Sequence, residues 1–452
     1  MRRFLRNSNV LEGPLLSQII FYTIPIMLSG VLQLLFNAAD LVIVGRFCGS
    51  ISVAAVGATG SLTNLIVTLF MGFSTGAGVA VSHAYGAGNR DDVHKVVHTT
   101  VPLAIIFGAV LTVVGIVFSD DFLHLMDTPE NILPLASLYM KIYFGGIIFN
   151  LLYNFCAVIL RSVGDTKSPL ISLFIAGFVN VILNVIFVTA FHMNVAGVAL
   201  ATVISQAVSA ALVIYSLMCR PDSARLFLKE LKIYKEFFFK ILRFGLPAGI
   251  QGSVFALSNV IIQSSINSFG DIAVSGNAAG GNIEGFVYIC MNAFYHTILT
   301  FTGQNYGAKQ FKRIAKSVWT SMGLVTIVGV VIGGLTYLFA EPLLSIYITD
   351  SAEAIAFGVK RLLYIAVPYF MCGLMEVSTG ALRGLGVSIA SMIISILGVC
   401  GVRIVWIFTV FAKFHTLECL YMSYYVSWIF TLLTQFIVFF VIFEKKKGEI
   451  NV

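Results

Sequence analysis

The sequence predicts an all-α polytopic membrane protein in which twelve transmembrane helices form two six-helix lobes. Three observations support this fold class. The 452 residues are 58% hydrophobic and only 11% charged, whereas a soluble domain carries about 25% charged residues. The apolar residues are gathered in stretches long enough for a helix to cross a bilayer. Finally, the first half of the chain is repeated in the second half.

Twelve apolar stretches of about 20 residues or more can be placed along the chain. The segments between them alternate between those rich and those poor in Lys and Arg. Because basic loops are retained in the cytoplasm, we expect both termini there and a multi-pass protein in the cytoplasmic membrane. The expected spans are approximately 16–44, 51–82, 94–118, 132–159, 168–191, 195–218, 237–266, 272–303, 314–339, 353–381, 387–411 and 417–443.

The internal repeat has a spacing of about 221 residues. The stretch AYGAGNRDDVHKVV, residues 84–97, aligns with NYGAKQFKRIAKSV, residues 305–318, and Pro25 aligns with Pro247. Six helices per copy give both copies the same orientation, so we expect a pseudo-twofold axis along the membrane normal. Parallel repeats of this kind are typical of transporters. The expected organisation is an N-terminal lobe at 1–218, a cytoplasmic linker with a surface helix at 219–236, and a C-terminal lobe with a basic tail at 237–452.

Charge, cysteine usage and the missing nucleotide motif narrow the function. The net charge of +7 comes from Lys and Arg between apolar segments, which indicates membrane topology rather than nucleic-acid binding. The seven cysteines have no paired spacing, so neither a disulfide framework nor a metal site is expected. No Gly-rich loop ends in Lys-Ser or Lys-Thr. We therefore expect no cofactor and a transport step driven by an ion gradient.

An aspartate, Asp40, lies inside the first expected span. A charge in hydrocarbon is costly, so an ionisable residue there is by default a candidate functional residue. Gln33, Asn37 and Asp40 fall at i, i+4 and i+7 and share one face of the helix. The alternative is that Asp40 is a solvated residue near the helix end, within reach of Arg46.

Other polar residues of the first half suit an ion site. Asn180 and Asn184 share one face of the fifth expected helix, and Thr202 supplies a hydroxyl on the sixth. A carboxylate with amide and hydroxyl oxygens suits a hard monovalent cation such as sodium, and a carboxylate in a low-dielectric setting suits a proton. We therefore expect Asp40 to carry a proton or to help hold sodium.

The second half places its acids elsewhere. Ile262 occupies the position that aligns with Asp40, and Glu284, Tyr288 and Asn292 form a polar stripe on the eighth expected helix. Glu376 on the tenth is either a further cavity acid or a structural partner of a neighbouring helix. Two lobes with different acids suggest different tasks.

Two short motifs suggest other chemistry. GFSTG, residues 72–76, matches the pattern of a serine nucleophile, Ser74, and so keeps an intramembrane hydrolase as an alternative function. That motif requires a strand-to-helix turn, whereas small residues four apart on a helix favour close helix packing. HKVVH, residues 94–98, places two histidines on one helix face but lacks the glutamate of a zinc protease motif.

Several stretches together resemble the multidrug and toxic compound extrusion (MATE) transporters, in particular the DinF/MepA-like branch. No single stretch decides the resemblance, but their order and spacing are specific and cover both repeats. They are FNAADLVIVGRF (36–47), NFCAVILRSVGDTKSP (154–169), NVILN (180–184), GVALATVIS (197–205), TGQNYGAKQ (302–310) and GALRGLG (380–386).

The resemblance implies efflux of organic cations or amphipathic drugs by antiport with protons or sodium, through alternating access. It implies that Asp40 is the coupling residue, with Asn180, Asn184 and Thr202 around it. Relatives commonly carry a second acid where this chain has Asn184, which favours protons over tightly held sodium. A flippase of lipid-linked saccharides, from the same superfamily, is the alternative within transport. We expect a monomer whose partners are small organic molecules and the bilayer, and whose substrate cavity includes Gln33, Asn37, Asn154, Glu284, Tyr288, Asn292 and Glu376.

Overall fold

We analysed a computed structural model, which describes residues 10–349 and 351–451. Every regular element in these residues is helical. The first half contains α1 (Leu15–Phe47), α2 (Ser50–Gly86), α3 (Arg90–Val117), α4 (Ser119–Leu125), α5 (Leu133–Gly145), α6 (Ile147–Ser162), α7 (Lys167–Val185) and α8 (Asn194–Met218). The second half contains α9 (Lys235–Asn267), α10 (Asp271–Gly307), α11 (Phe311–Leu338), α12 (Ala340–Ser345), α13 (Ala352–Arg361), α14 (Tyr369–Gly384), α15 (Ser388–Ser395), α16 (Val402–Trp406) and α17 (Leu417–Asn451).

The described helices account for the twelve expected spans. Nine helical segments are long and apolar enough to cross a membrane, and two bent helix pairs raise the number to eleven. The twelfth is α10, whose 37 residues are ample in length but include several polar side chains. π-helical turns complete three of the spans, at Ile186–Ala190, Leu362–Ala366, and Ile396–Gly401 with Ile407–Phe411.

The two bent spans were expected to be continuous helices. α5 and α6 meet at 46° around Gly146, where an added Cβ would overlap the side chain of Val203 on α8. α13 and α14 meet at 41°, and Pro368 lies at the break. Proline lacks the N–H that would continue the helical hydrogen bonds, which explains the second bend.

The described chain forms two compact units, residues 28–249 and residues 10–27 with 250–451. Their limits differ from those of the expected lobes: the part of α1 before residue 28 belongs to the second unit, and residues 219–249 belong to the first. The chain passes from the second unit to the first unit two residues after Pro25 in α1, and back to the second unit two residues after Pro247 in α9. These are the two prolines that the repeat aligns.

Local contacts explain these assignments. In the second unit, Tyr22 of α1 donates to Thr300 of α10 over 3.0 Å. In the first unit, Gly72 on α2 lies so close to α9 that an added Cβ would be 2.1 Å from the Gly249 nitrogen. Small residues allow helix backbones to approach this closely.

The prediction of a surface helix in the linker is wrong. Between α8 and α9, the only helical element among the described residues is a three-residue 3-10 turn, Leu228–Glu230. The rest is held in extended or turn conformations, because its backbone is hydrogen-bonded to α3: the Phe227 N–H donates to His98 Nε2 over 3.0 Å, and the Tyr234 N–H to Thr99 Oγ1 over 3.1 Å.

Candidate functional site

A cavity of about 470 Å³ lies within the first unit, among α1, α2, α5, α6, α7 and α8. Its described lining contains one carboxylate, Asp40, and no Lys or Arg. The other polar groups of the lining are side-chain amides and hydroxyls, and aromatic rings form part of its apolar surface. The residues expected from the sequence that line it are Gln33, Asn37, Asp40, Asn154, Asn180 and Thr202.

Asp40 is hydrogen-bonded to two neighbouring helices. Asn184 on α7 donates through Nδ2 to Asp40 Oδ1 over 2.5 Å. The Thr202 Oγ1 on α8 lies 3.4 Å from Asp40 Oδ2 and 2.9 Å from the Val198 carbonyl, so its single hydrogen is shared between these two acceptors. The Asn184 Nδ2 is also 3.2 Å from the Asn180 Oδ1. The structure therefore brings Asp40 together with the three residues that the resemblance names; their role in coupling stays a prediction.

One polar atom of Asn184 has no hydrogen-bond partner among the described residues. The side chain is fully buried, and this atom is its Oδ1. Buried carbonyl oxygens without a partner are uncommon. This oxygen is available to a proton or cation that arrives at Asp40, if the amide turns over.

The pairing of Asp40 with Arg46 is not observed. Asp40 forms no ion pair within the described ranges, and its carboxylate faces α7 and α8. It also lies two turns before the end of α1 at Phe47. Asp40 is thus a helix-interior carboxylate that opens to a polar cavity.

The local backbone positions these side chains. Asn180 and Asn184 are four residues apart, so they lie one turn apart on the same face of α7. At Gly177, one turn earlier, an added Cβ would be 1.8 Å from the Phe36 ring, so α1 and α7 approach closely only because this residue has no side chain. The helix then continues as the π-helical turn Ile186–Ala190, a feature frequent at functional sites.

Sequence reasoning missed several lining residues. Tyr139 and Tyr143 stack in α5, with ring centroids 6.3 Å apart and planes at 13°, and Asn150 in α6 is hydrogen-bonded to Asn154. Gln206 on α8 also contributes to the lining. The i, i+4 spacing of polar residues on apolar helices, used for α1 and α7, was the available signal in α5 and α6.

The remaining expected residues lie in the second unit. Glu284 on α10 is buried and accepts two hydrogen bonds from Arg361, at 2.8 and 3.0 Å. Its carboxylate is therefore already balanced by a cation rather than free to meet one. Glu376 on α14 is buried, Tyr288 is exposed and Asn292 is partly exposed.

Arg361 is the functional-site candidate that the sequence reading overlooked. Its guanidinium also lies 3.3 Å from the Asn277 Oδ1, which in turn accepts a hydrogen bond from the Tyr421 hydroxyl over 2.5 Å. The expected tenth span, 353–381, contained this arginine, and an ionisable residue inside a span is itself the signal.

The serine and histidine motifs have structural explanations. Ser74 lies within α2 and donates to the Met71 carbonyl over 2.7 Å, while Gly72 and Gly76 pack against α9. His94, His98 and Glu230 lie near one another. Both ring nitrogens of His98 are engaged, with the His94 carbonyl at 2.8 Å and the Phe227 N–H at 3.0 Å, so His98 has no free lone pair for a metal.

The MatE family model matches residues 25–186 and 247–409, once in each half of the chain. The chain belongs to the MatE family.

Relatives and solved structures agree with this assignment. The probable multidrug resistance protein YoeA of Bacillus subtilis is 28% identical over 390 residues, covering 85% of this chain and 84% of YoeA. The multidrug export protein MepA of Staphylococcus aureus is 22% identical over 385 residues, covering 82% and 84%. A solved MOP superfamily transporter from Pyrococcus furiosus superposes with a TM-score of 0.91 at 20% identity, over 98% of this chain and 99% of that chain.

Membership in the MatE family confirms the resemblance and the fold class. The chain is a multi-pass membrane protein of the two-lobe, twelve-helix type found in solved MATE transporters. It belongs to a family of multidrug efflux transporters rather than enzymes, so an intramembrane hydrolase is no longer a candidate function.

Proposed function

We propose that this MatE transporter exports organic cations or amphipathic compounds in exchange for protons, and that Asp40 is the residue at which the two compete. The observation that carries the proposal is the single carboxylate in a cavity of about 470 Å³ whose described lining has no Lys or Arg. Such a cavity holds one uncompensated negative charge when Asp40 is ionised. A bound cation and a proton each neutralise that charge, so binding of one opposes binding of the other.

The lining favours organic cations as cargo. Tyr139, Tyr143 and Phe36 contribute aromatic surface next to the carboxylate. Aromatic faces attract cations, more strongly when water is excluded. Gln33, Asn37 and Asn154 add amide groups that can hydrogen-bond to several substrate shapes, which suits a transporter that accepts many compounds.

The hydrogen bonds around Asp40 favour protons over sodium. Asn184 donates to the carboxylate over 2.5 Å, and the Thr202 hydroxyl lies 3.4 Å from it. Sodium requires oxygen ligands directed at the ion, whereas the Asn184 amide directs its NH2 group at Asp40. A proton requires only one carboxylate oxygen, whereas sodium would need several oxygen ligands, of which the Asn184 Oδ1 would supply one after an amide turn.

The second unit contributes differently in this proposal. Glu284 pairs with Arg361, so a cationic substrate reaches it only by displacing the guanidinium. Glu376, Tyr288 and Asn292 remain candidates for the substrate path. We further propose that the protein lies in the cytoplasmic membrane with both termini in the cytoplasm, because the expected short loops on that side carry most of the Lys and Arg.

Uptake of a fluorescent organic cation into energised inverted membrane vesicles tests the role of Asp40. Asp40→Asn keeps the side-chain shape but removes the titratable charge, so we expect transport to fall to the level of vesicles without the protein. Asp121→Asn, at an exposed acid of α4, is the matched control and should transport normally. Normal transport by Asp40→Asn, at equal protein abundance, would contradict the proposal.

A further inference from the structure

A second cavity, of about 700 Å³, lies within the first unit where the turn between α2 and α3 meets the segment that follows α8. We call it the linker cavity. Arg90 and His94 line it from α3, and Asp222, Arg225 and Phe227 line it from the linker. It is separate from the Asp40 cavity and shares no lining residue with it.

Side-chain and backbone hydrogen bonds fix the linker residues that form the wall of the linker cavity. Arg220 is 6% exposed and donates from Nε to Asp222 Oδ1 over 2.9 Å, with Asp165 at 3.6 Å. The Asp222 Oδ1 also accepts the Ala224 N–H over 3.1 Å. Together with the hydrogen bond from Phe227 to His98, these contacts hold the linker against α3.

The cavity lining contains two arginines, Arg90 and Arg225, and one carboxylate, Asp222. Asp222 is paired with Arg220, which also lies 3.6 Å from Asp165, and the Glu230 carboxylate lies 3.2 Å from His94 Nε2. Neither Arg90 nor Arg225 has a carboxylate partner within 4.0 Å among the residues described. Arg225 lies over the Phe227 ring, 5.0 Å from its centroid. Two unpaired guanidinium groups at one cavity select an anion, and their planar forks match a phosphate group.

The surrounding linker surface indicates what carries the phosphate. Phe227, Leu228 and Ile233 are 40%, 52% and 40% exposed. The exposed charged residues Lys229, Glu230 and Lys232 lie among them in the chain. Exposed apolar residues among Lys and Arg are typical of segments that lie in a membrane interface, and basic clusters beside transmembrane helices attract anionic lipids.

We propose that the linker cavity binds a phosphate group, carried by an anionic phospholipid whose acyl chains lie over Phe227 and Leu228. A free phosphate compound would use the same two arginines but would have no need of the exposed apolar residues. The proposal does not depend on which ion drives transport or on the role of Asp40.

Calorimetric titration of the purified full chain in detergent tests this site. The ligands are dioctanoyl-phosphatidylglycerol, dioctanoyl-phosphatidylcholine, and sodium phosphate against sodium chloride of equal ionic strength. The variants are Arg90→Gln, Arg225→Gln and, as a matched control, Lys229→Gln, which removes an exposed linker charge outside the cavity lining. Arg225→Lys retains the charge but not the fork.

We expect phosphatidylglycerol to bind more tightly than phosphatidylcholine, and each arginine-to-glutamine change to weaken it about fivefold or more. Lys229→Gln should weaken it less, and Arg225→Lys should recover only part of the affinity. Binding of sodium phosphate that depends on the same arginines would also support phosphate recognition and would identify a soluble source. Equal binding of the two lipids, or equal losses in Lys229→Gln and the arginine variants, would overturn the proposal. Elution of each variant as a single species in gel filtration establishes that it is folded.

Discussion

Asn184 donates a 2.5 Å hydrogen bond from its amide to the carboxylate of Asp40, joining α7 to α1 beside a polar cavity. An amide at this position can donate to an ionised carboxylate or, after turning over, accept from a protonated one. The pair can therefore satisfy both charge states of Asp40 without an additional ion. A second carboxylate in place of Asn184 could donate to an ionised Asp40 only while it holds a proton itself.

The first prediction concerns the coupling ion. Asn184→Asp adds a carboxylate within hydrogen-bonding distance of Asp40, and two carboxylates in contact strongly favour either a shared proton or a bound cation. We expect this variant to acquire transport that responds to a sodium gradient, measured in proteoliposomes at equal internal and external pH. Asn150→Asp places the same charge elsewhere in the cavity lining and should not produce this response. An Asn184→Asp protein that ignores sodium would argue against the assigned role of this position.

The second prediction concerns the Glu284–Arg361 pair. Removing one member of a buried ion pair leaves an uncompensated charge, at a cost of about 3–5 kcal/mol. Arg361→Gln should therefore lower the thermal unfolding midpoint strongly, and the double variant with Glu284→Gln should recover much of the loss.

Lys360, the residue before Arg361, forms a partly exposed ion pair with Glu418 and supplies the control. An exposed pair contributes at most about 1 kcal/mol, so Lys360→Gln should change the midpoint little. If the double variant is as unstable as Arg361→Gln alone, the two buried charges do not compensate each other.

The third prediction concerns the contact between α2 and α9. An alanine Cβ at Gly72 would lie 2.1 Å from a backbone nitrogen of α9, so the helices must separate to accommodate it. Overpacking of this kind costs about 1–3 kcal/mol. Gly72→Ala should lower the unfolding midpoint by several degrees, whereas Gly57→Ala, where an added Cβ meets nothing within 4 Å, should not. Equal midpoints for the two variants would show that the contact is not tight.

The fourth prediction concerns the linker. His98 accepts the Phe227 N–H and so helps to fix the linker on α3. His98→Leu should release this segment and accelerate tryptic cleavage at Arg225, Lys229 and Lys232, measured by mass spectrometry of the fragments. His124→Leu, at an exposed histidine of α4, is the control. Unchanged cleavage in His98→Leu would mean that the other linker contacts suffice.

Hydrophobic stretches and the internal repeat made the helices predictable, because length and composition alone determine whether a segment can cross a bilayer. The bends at Gly146 and Pro368 were not anticipated. Gly146 is needed for contact with Val203, a packing relationship that no local pattern reveals. Pro368 was visible in the sequence, but proline within a span does not by itself specify the angle.

Part of the candidate site was also predictable from the sequence. Helical spacing placed Asp40 on a polar face, and the family resemblance supplied Asn180, Asn184 and Thr202. The direction of the hydrogen bond from Asn184 and the contribution of Tyr139 and Tyr143 depend on how separate helices pack. The Glu284–Arg361 pair joins residues 77 positions apart, so a sequence reading could find each charge but not their contact.

Proteoliposome transport with the pH and sodium gradients imposed separately tests the central claim most directly. The claim is that protons and organic cations compete at Asp40. A pH gradient alone should drive export of a fluorescent organic cation by the native protein, a sodium gradient at constant pH should not, and Asp40→Asn should respond to neither. Export driven by sodium alone, or by a pH gradient in Asp40→Asn, would contradict it.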